Sequence, residues 1–237
     1  MIKSVSIIYP VYNEENRLNK TFFDIKNFDK SNKFLKKQYI FVNYGSTDQS
    51  LSIIKKRFKR NKRVKIISYS KNMGKGYAIK KGVLIAKNQW VLTTDADCSV
   101  SNFQLINWIK SEYLNKKIFI YFASRNHPLS LVKKKIIRQF IGFLFKLLLL
   151  IFFKIKITDT QCGFKLYKLN IAKKIFKMML INDYMHDIEI YKISEKLNLK
   201  IKVLPVNWNH VDQSQINFFL DFFKILLSLK KIFKLYS

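Results

Sequence analysis

The stretch WVLTTDAD, residues 90–97, joins an apolar, β-branched run to two aspartates one residue apart. The run is typical of a buried strand, so Asp95 and Asp97 follow the point where that strand ends. In open α/β sheets, ligands bind in the crevice outside the carboxyl ends of the strands. Two carboxylates there suit Mg²⁺ or Mn²⁺, which take one or two protein carboxylates together with water and substrate phosphates. Because the same spacing occurs in ordinary turns, the metal assignment depends on the rest of the chain.

Strand and helix patterns alternate around this stretch. Strands are predicted at 4–9, 39–42, 64–68, 90–94, 118–123, 164–167 and 200–205. Helices are predicted at 14–28, 47–58 (with Ser46 or Thr47 as its cap), 76–86, 103–114, 171–180 and 187–197. The βαβαβαβ order of the first hundred residues predicts right-handed crossovers between parallel strands. The fold class is therefore α/β, with a mostly parallel central sheet flanked by helices.

The charge of the chain is extreme, at +30 over 237 residues. Nucleic acid, an anionic membrane surface and an anionic substrate all match this charge. The abundance of Lys, Ile, Asn and Phe also indicates a coding bias, which accounts for part of it. Cys98 and Cys162 lack metal-ligand spacing, which favours reduced thiols in a cytoplasmic protein. A strand pattern begins at Ser4, so we expect no targeting peptide.

Two segments have wide apolar faces. In residues 216–236 the polar positions recur every three or four residues as one narrow stripe, and 131–155 repeats the pattern. Such segments are either buried core helices or interfacial helices drawn to anionic headgroups. No uncharged apolar run reaches the roughly 18–20 residues that a spanning helix needs. We expect peripheral association with the cytoplasmic face of a membrane.

Polar or glycine-containing loops follow each of the first four predicted strands. They are Pro10-Val11-Tyr12-Asn13-Glu14, Asn43-Tyr44-Gly45-Ser46-Thr47-Asp48, Asn72-Met73-Gly74-Lys75-Gly76 and Asp95-Ala96-Asp97. The glycines permit close backbone approach, and Lys75 is suited to pairing with a phosphate. Four such loops at one edge of a sheet predict a ligand site.

With these motifs, the chain resembles the inverting GT-A glycosyltransferases of family 2 over nearly its whole length. The opening Pro-Val-Tyr-Asn-Glu motif and the Gly-Ser-Thr-Asp turn are shared broadly by such enzymes. Ser124-Arg125, the block Asp159-Thr160-Gln161-Cys162-Gly163-Phe164-Lys165, Asp187-x-Glu189 and Val206-Asn207-Trp208 are more specific. They resemble the branch that glucosylates or mannosylates dolichyl or polyprenyl phosphate.

The resemblance implies a donor site at the first four strand ends. Pro10, Tyr12 and Glu14 would line the nucleoside pocket, with Lys75 near the base or the diphosphate. Asp95 would lie beside the ribose and diphosphate. The donor would be UDP-glucose or GDP-mannose, with glucose favoured over mannose.

The resemblance also implies the metal ligands and the acceptor site. Asp97, and with it Asp95, would bind Mg²⁺ or Mn²⁺. Arg125 and Arg138 would hold the phosphate of a polyprenyl or dolichyl acceptor. Near the sugar and the reaction centre would lie Asp187 and the loop residues Gln161, Gly163 and Lys165. Asp97, Asp187 and Arg125 are the expected catalytic residues.

The domain prediction follows from this resemblance. Residues 1–215 would form the glycosyltransferase domain, with a nucleotide-sugar half (1–100) and an acceptor half (101–215), and residues 216–237 a membrane-associating amphipathic helix. Two alternatives stay open: a GT-A enzyme with a polysaccharide or other non-lipid acceptor, for which Asp187 could be the base, and a basic nucleic-acid-binding module. The lysines are dispersed, so we expect no nucleic-acid partner.

The chain departs from the family pattern in two places. Asn43 and Tyr44 replace an acidic pair that usually precedes the Gly-Ser turn, and the second acid commonly touches the nucleoside. Asp212-Gln213-Ser214-Gln215 stands where a Gly-Ser-Lys-like run is common. The first departure bears directly on nucleotide selectivity and on activity.

Overall fold

A seven-stranded sheet of strand order β3-β2-β1-β4-β7-β5-β8 organises the computed structural model, and a two-stranded ribbon, β6-β9, accompanies it. The structure describes residues 2–132, 155, 157, 159–209 and 218–236. The strands are β1 Ser4–Val11, β2 Lys36–Tyr44, β3 Val64–Tyr69, β4 Trp90–Thr93, β5 Ile120–Ser124, β6 Leu131–Val132, β7 Lys165–Lys168, β8 Ile201–Pro205 and β9 Asn207–Trp208. The helices are α1 Leu18–Ser31, α2 Ser50–Phe58, α3 Lys75–Ile85, α4 Phe103–Lys110, α5 Leu169–Met178, α6 His186–Lys196 and α7 Phe218–Tyr236.

The first four strands are parallel. β1 pairs in parallel with β2 and with β4, and β2 pairs in parallel with β3. Their carboxyl ends therefore meet at one edge, which we call the carboxyl edge. The predicted α/β class with a mostly parallel sheet is confirmed.

Strand β7 runs in the opposite direction to its neighbours β4 and β5. Its first residue, Lys165, is in register with Thr93, the last residue of β4. The loop that precedes β7 therefore reaches the carboxyl edge, beside Asp95. The pattern predicted a strand at 164–167 but not its direction, and this direction brings the 159–165 block to the predicted ligand site.

Both faces of the sheet are buried, as the nearly continuous apolar sequence of β1 requires. Along β1, Ile7 and Tyr9 pack on the side of α1, whereas Ile8 packs on the side of α3. Gly82 of α3 lies against that second side, where a Cβ would be 2.5 Å from Cγ2 of Ile8. This close packing fixes α3, and hence its first residue, Lys75, relative to the strand ends.

The predicted start of α2 is wrong by three residues. Neither Ser46 nor Thr47 caps the helix, which begins at Ser50. Asp48 Oδ1 instead accepts a hydrogen bond from the Ser50 amide at 2.9 Å. Ser46 and Thr47 are used to hold the neighbouring loop through Asn13.

The β6-β9 ribbon is tied to the carboxyl edge at two points. Ser130 Oγ donates to the Ser124 carbonyl at 2.6 Å and accepts from the Val206 amide at 2.9 Å. The Asn209 amide donates to the Ser99 carbonyl at 2.9 Å. The ribbon thus connects the end of β5 with the loop that follows Asp97.

Helix α7 packs on α6 with one face and exposes another. Leu229 and Ile232 are buried, and Tyr236 Oη donates to Glu189 Oε1 at 3.0 Å. Leu226 and Leu227 are exposed. The residues predicted to form one polar stripe do not all face solvent, because Ser228 hydrogen-bonds Asp183 in the segment before α6.

No helix among the described residues is both long enough and apolar enough to span a membrane. Most of the second apolar segment, 131–155, lies outside the described residues.

Candidate active site

The loops after β1 and β2 are cross-linked by hydrogen bonds. Asn13, with φ +54°, donates from its amide to Ser46 Oγ at 3.0 Å and accepts from the Thr47 amide at 2.9 Å. The Glu14 amide donates to Ser50 Oγ at 2.7 Å. The Gly-Ser-Thr-Asp turn therefore holds the Pro-Val-Tyr-Asn-Glu loop in place at the carboxyl edge.

A tyrosine cluster forms one wall of this edge. The rings of Tyr12 and Tyr44 stack with centroids 5.4 Å apart and planes 23° apart. Burial, and then a hydrogen bond and charge interaction with Tyr184, raise the pKa of Tyr44 well above its usual value. Tyr44 thus places an uncharged ring where the family pattern has an acid. Its interaction with Tyr184 connects the end of β2 to the segment before α6.

Gly74 orients the next loop. Its φ is +92°, and a Cβ there would lie 2.3 Å from the Asn182 carbonyl oxygen, so only glycine fits without rearrangement. That carbonyl accepts a hydrogen bond from the Tyr77 amide at 3.0 Å. Helix α3 therefore begins against the 182–186 segment, and this start directs Lys75 toward Asp95.

Lys75 and Asp95 form the central ion pair, with Nζ 2.5 Å from Oδ1. Burial raises the pKa of Asp95, but the positive charges of Lys75, Lys165 and Arg125 outweigh burial, and the net effect is a lowered pKa. Asp95 is therefore ionised, with Lys75 in direct contact and the charges of Lys165 and Arg125 acting from farther away.

Gly163 packs directly against the Asp95 carboxylate. A Cβ at Gly163 would lie 2.5 Å from Asp95 Oδ2, and the Gly163 carbonyl accepts from Thr93 Oγ1 at 2.9 Å. The predicted reaction-centre loop is thus in direct contact with Asp95. A side chain at this position would displace the carboxylate.

Asp97 is the less neutralised member of the pair. Its Oδ1 accepts from the Ser99 amide at 2.8 Å. Burial, and then the negative charge of Asp95, raise the pKa of Asp97. A divalent cation would offset this repulsion, and the hard oxygens of two carboxylates are donors that Mg²⁺ and Mn²⁺ accept. Among the described residues no cluster of three or more His, Cys, Asp or Glu side chains forms a metal site.

Glu14 is a third carboxyl group at the edge. Arg17 Nε lies 2.6 Å from its Oε2. Burial nevertheless dominates, and with the added repulsion of Asp97 and Asp95 it raises the pKa of Glu14 to about 8. Glu14 is thus largely protonated at neutral pH, which limits the negative charge at the carboxyl edge.

Arg125 forms a bidentate pair with Asp159. Its Nε and Nη2 lie 2.8 Å from the two carboxylate oxygens, and its amide donates to Oδ2 at 2.9 Å. Burial opposes the charge of Arg125, but Asp159 outweighs burial and raises the pKa of the guanidinium. The guanidinium carbon lies 5.9 Å from the ring centre of Trp208. Arg125 is thus a fixed cation at the end of β5.

Lys165, Asp187 and His186 form a buried group beneath Gly163. Lys165 Nζ lies 2.7 Å from Asp187 Oδ1 and donates to the Cys162 carbonyl at 2.7 Å. Burial lowers the pKa of His186 despite Asp187, so this imidazole is neutral at physiological pH. Burial raises the pKa of Cys162 to about 11, so its thiol is not a ready nucleophile.

The carboxyl edge brings most of the predicted residues together. Contacts or electrostatic influence connect Tyr12, Tyr44, Glu14, Lys75, Asp95, Asp97, Arg125, Gly163, Lys165 and Asp187. Pro10 is paired with Val42 inside the sheet. The Gln161 amide donates to Asp159 Oδ1 at 3.1 Å. Arg138 lies outside the described residues, and its role stays a prediction.

Two residues of this site had no predicted role. Asp159 fixes Arg125, and Tyr184 contacts Tyr44. An acid at the start of the 159–165 block is a signal for the first, since a buried arginine needs a carboxylate partner. No local signal marks Tyr184, which reaches Tyr44 only through the tertiary fold.

The fold and the site are those of an open α/β protein with a ligand site at the carboxyl ends of its strands, where an aspartate pair lies beside cationic side chains. The profile of glycosyl transferase family 2 matches residues 6–176, and the chain belongs to that family.

Similar proteins support this assignment. The dolichyl-phosphate beta-glucosyltransferase of Dictyostelium discoideum is 30% identical over 90% of this chain and 68% of its own length. The enzyme of the same name from Saccharomyces cerevisiae is 30% identical over 95% of this chain and 72% of its own.

Solved structures share the fold at low identity. Glucosyl-3-phosphoglycerate synthase from Mycobacterium tuberculosis, in complex with Mn²⁺, UDP and phosphoglyceric acid, matches with a TM-score of 0.70 and 15% identity, covering 98% of this chain and 78% of that one. Mannosyl-3-phosphoglycerate synthase from Rubrobacter xylanophilus matches with a TM-score of 0.69 and 13% identity, covering 97% and 72%. The GT-A fold implied by the resemblance is confirmed.

The raised pKa of Glu14 predicts a pH-dependent stability. Between about pH 4.5 and 8 the folded state keeps the Glu14 proton that the unfolded state releases, so stability falls as pH rises through this window. Glu14→Gln should remove this loss, so the stability of the variant relative to wild type should rise by about 3 kcal/mol between pH 5.5 and pH 8. Urea unfolding at both pH values measures the difference. An identical pH dependence in the two proteins would show that Glu14 is ionised in the fold.

Proposed function

We propose that this chain transfers glucose from UDP-glucose to a dolichyl or polyprenyl phosphate, with inversion at the anomeric carbon. One observation carries the proposal: Asp95 lies within the field of Lys75, Lys165 and Arg125, next to the more repelled Asp97. Such an edge suits a reaction between two phosphate-bearing substrates. The similarity to dolichyl-phosphate beta-glucosyltransferases over 90% or more of the chain supports the choice of sugar and acceptor.

The donor would occupy the loops of the first hundred residues. Tyr12, with Tyr44 stacked behind it, offers an aromatic face to the nucleoside. Lys75 already pairs with Asp95, and a diphosphate would share its charge. A divalent cation would be held by Asp97, with Asp95 beside it, and when bound would stabilise negative charge on the leaving diphosphate. The Mn²⁺ and UDP in the fold-related synthase complex support this class of ligand.

The acceptor would meet the donor at the end of β5. Arg125, fixed by Asp159, would position the acceptor phosphate. An oxygen of that phosphate attacks the anomeric carbon, and the bond from this carbon to the donor diphosphate breaks, with its electron pair leaving on UDP. In-line attack turns an α-linked donor into a β-linked product. No proton has to be removed, because the attacking phosphate is already an anion.

The buried position of Asp187 favours a phosphate acceptor over a sugar hydroxyl. A hydroxyl acceptor would need a carboxylate base, and Asp187 was the candidate for that role. Asp187 is only 5% exposed and is paired with Lys165, which occupies one of its oxygens. We infer that Asp187 positions Lys165 and, through its charge, Lys75, and that it does not take a proton from the acceptor.

The proposed function divides the chain into three parts. We propose that residues 1–100 hold the nucleotide sugar, that 101–215 hold the acceptor, and that 216–237 attach the protein to a membrane. On the exposed side of α7, Leu227, Lys231 and Lys234 lie at helical spacing on one face. An apolar side chain among lysines suits an anionic bilayer surface. The two free, buried cysteines suit the reducing cytoplasmic side of that membrane.

Asp97→Asn tests the catalytic proposal. This change keeps the shape of the side chain and removes its charge, so kcat/KM with UDP-glucose and dolichyl phosphate should fall at least about 100-fold. Calorimetry should show that UDP binding no longer responds to Mn²⁺. Glu195→Gln, at an exposed carboxylate of α6, is the control and should keep full activity. Normal turnover by Asp97→Asn would refute the metal assignment, and no transfer by the wild-type chain would refute the proposed reaction.

Removing Arg125 tests the acceptor site. Arg125→Gln alone would leave the buried Asp159 unpaired at a cost of about 3–5 kcal/mol, so the double variant Arg125→Gln/Asp159→Asn is the better protein. We expect a raised KM for dolichyl phosphate, a lowered kcat, or both, with UDP affinity within about twofold of wild type. If UDP affinity falls while acceptor kinetics stay normal, Arg125 belongs to the donor site.

The exposed face of α7 is tested by liposome co-sedimentation. Leu226→Asn/Leu227→Asn should reduce binding to anionic liposomes, and high salt should reduce it further as the Debye length shortens. Phe34→Asn changes an equally exposed side chain before the amino end of β2 and should bind normally. Equal binding by all three proteins would show that α7 is only a packing helix.

A further inference from the structure

Two leucines stand exposed beside Arg125 without a role in the fold. Leu129 is 64% exposed and Leu131 is 70% exposed, although both lie in an ordered turn and ribbon. Single exposed side chains of this size are common, but these two lie on either side of Ser130, which two hydrogen bonds hold in place. We call Leu129 and Leu131 the ribbon leucines.

Hydrogen bonds fix the ribbon leucines close to the proposed phosphate site. Ser130, which lies between them, donates to the carbonyl of Ser124, the residue before Arg125, at 2.6 Å. The Leu131 amide donates to the Val206 carbonyl at 3.1 Å, and Ser130 accepts from the Val206 amide. The turn therefore closes on the end of β5, so the ribbon leucines lie at the same strand end as Arg125.

The other strand of the ribbon extends the same surface. Trp208 of β9 pairs with Val132 and lies beneath the guanidinium of Arg125. The Asn209 amide then anchors the ribbon to the Ser99 carbonyl, two residues after Asp97. A molecule whose phosphate sits at Arg125 would thus have the ribbon as its neighbour.

We propose that the ribbon leucines bind the first isoprene units of the lipid acceptor. The proposal rests on the proposed function, because it takes Arg125 as the site of the acceptor phosphate. A fixed cation and two exposed leucines at the same strand end match a ligand with an anionic head and a hydrocarbon tail. A water-soluble phosphate acceptor would gain nothing from this arrangement, and an isoprenoid phosphate would use both parts.

Kinetics in detergent separate this role from membrane docking. The double variant Leu129→Asn/Leu131→Asn should lower kcat/KM for dolichyl phosphate by about tenfold, since several apolar groups lose their contact. The KM for UDP-glucose should stay within about twofold of wild type. Because both side chains are exposed, the variant should unfold at the same urea concentration as wild type.

Two matched measurements make the outcome decisive. Phe34→Asn removes an apolar side chain that is 61% exposed and precedes β2 at the opposite edge of the sheet, and it should keep wild-type kinetics. Co-sedimentation with anionic liposomes should be the same for the leucine variant and wild type. Unchanged dolichyl phosphate kinetics, or normal detergent kinetics with reduced liposome binding, would overturn the proposal while leaving the proposed function intact. An inactive wild-type chain would instead refute the proposed function.

Discussion

The ion pair between Lys75 and Asp95 is the interaction on which the site depends. Its two partners come from α3 and from the end of β4, and Gly163 of a third segment leaves no room behind the carboxylate. Each partner is held by packing that tolerates only glycine: Gly74 against Asn182 for the lysine, and Gly163 for the aspartate. The charges are therefore fixed before any ligand arrives, which is the condition for electrostatic catalysis.

Around this pair the fold balances charge by burial. Glu14 keeps its proton, Tyr44 replaces an acid, and Lys165 and Asp187 neutralise each other out of solvent. Asp97 differs from these groups, because burial and the negative charge of Asp95 raise its pKa. The edge thus has one repelled carboxylate beside the ion-paired cations Lys75 and Arg125, an arrangement that suits a diphosphate together with a metal ion.

Local patterns predicted the elements well because strand and helix periods are local properties. The run 90–97 and the glycine loops were predicted to meet at one edge of the sheet, and they do, because the carboxyl ends of parallel strands share an edge. The direction of β7 was not predictable from its four residues, because pairing direction is decided by the partner strands. For the same reason the sequence named Arg125 as a phosphate ligand but did not reveal Asp159, its partner 34 residues away. The start of α2 was missed because Ser46 bonds a neighbouring loop, which a capping rule cannot see.

The central position of β7 has a consequence for how the chain folds. β7 lies between β4 and β5 in the sheet. When only the first 124 residues have been synthesised, the facing edges of β4 and β5 therefore lack the strand that pairs with both. Unpaired edges invite pairing with other chains, and closing this gap requires a contact of long sequence separation. Gly163 reaches Asp95 only when that gap closes. The contact between Gly163 and Asp95 is therefore complete only after β7 has paired with β4 and β5.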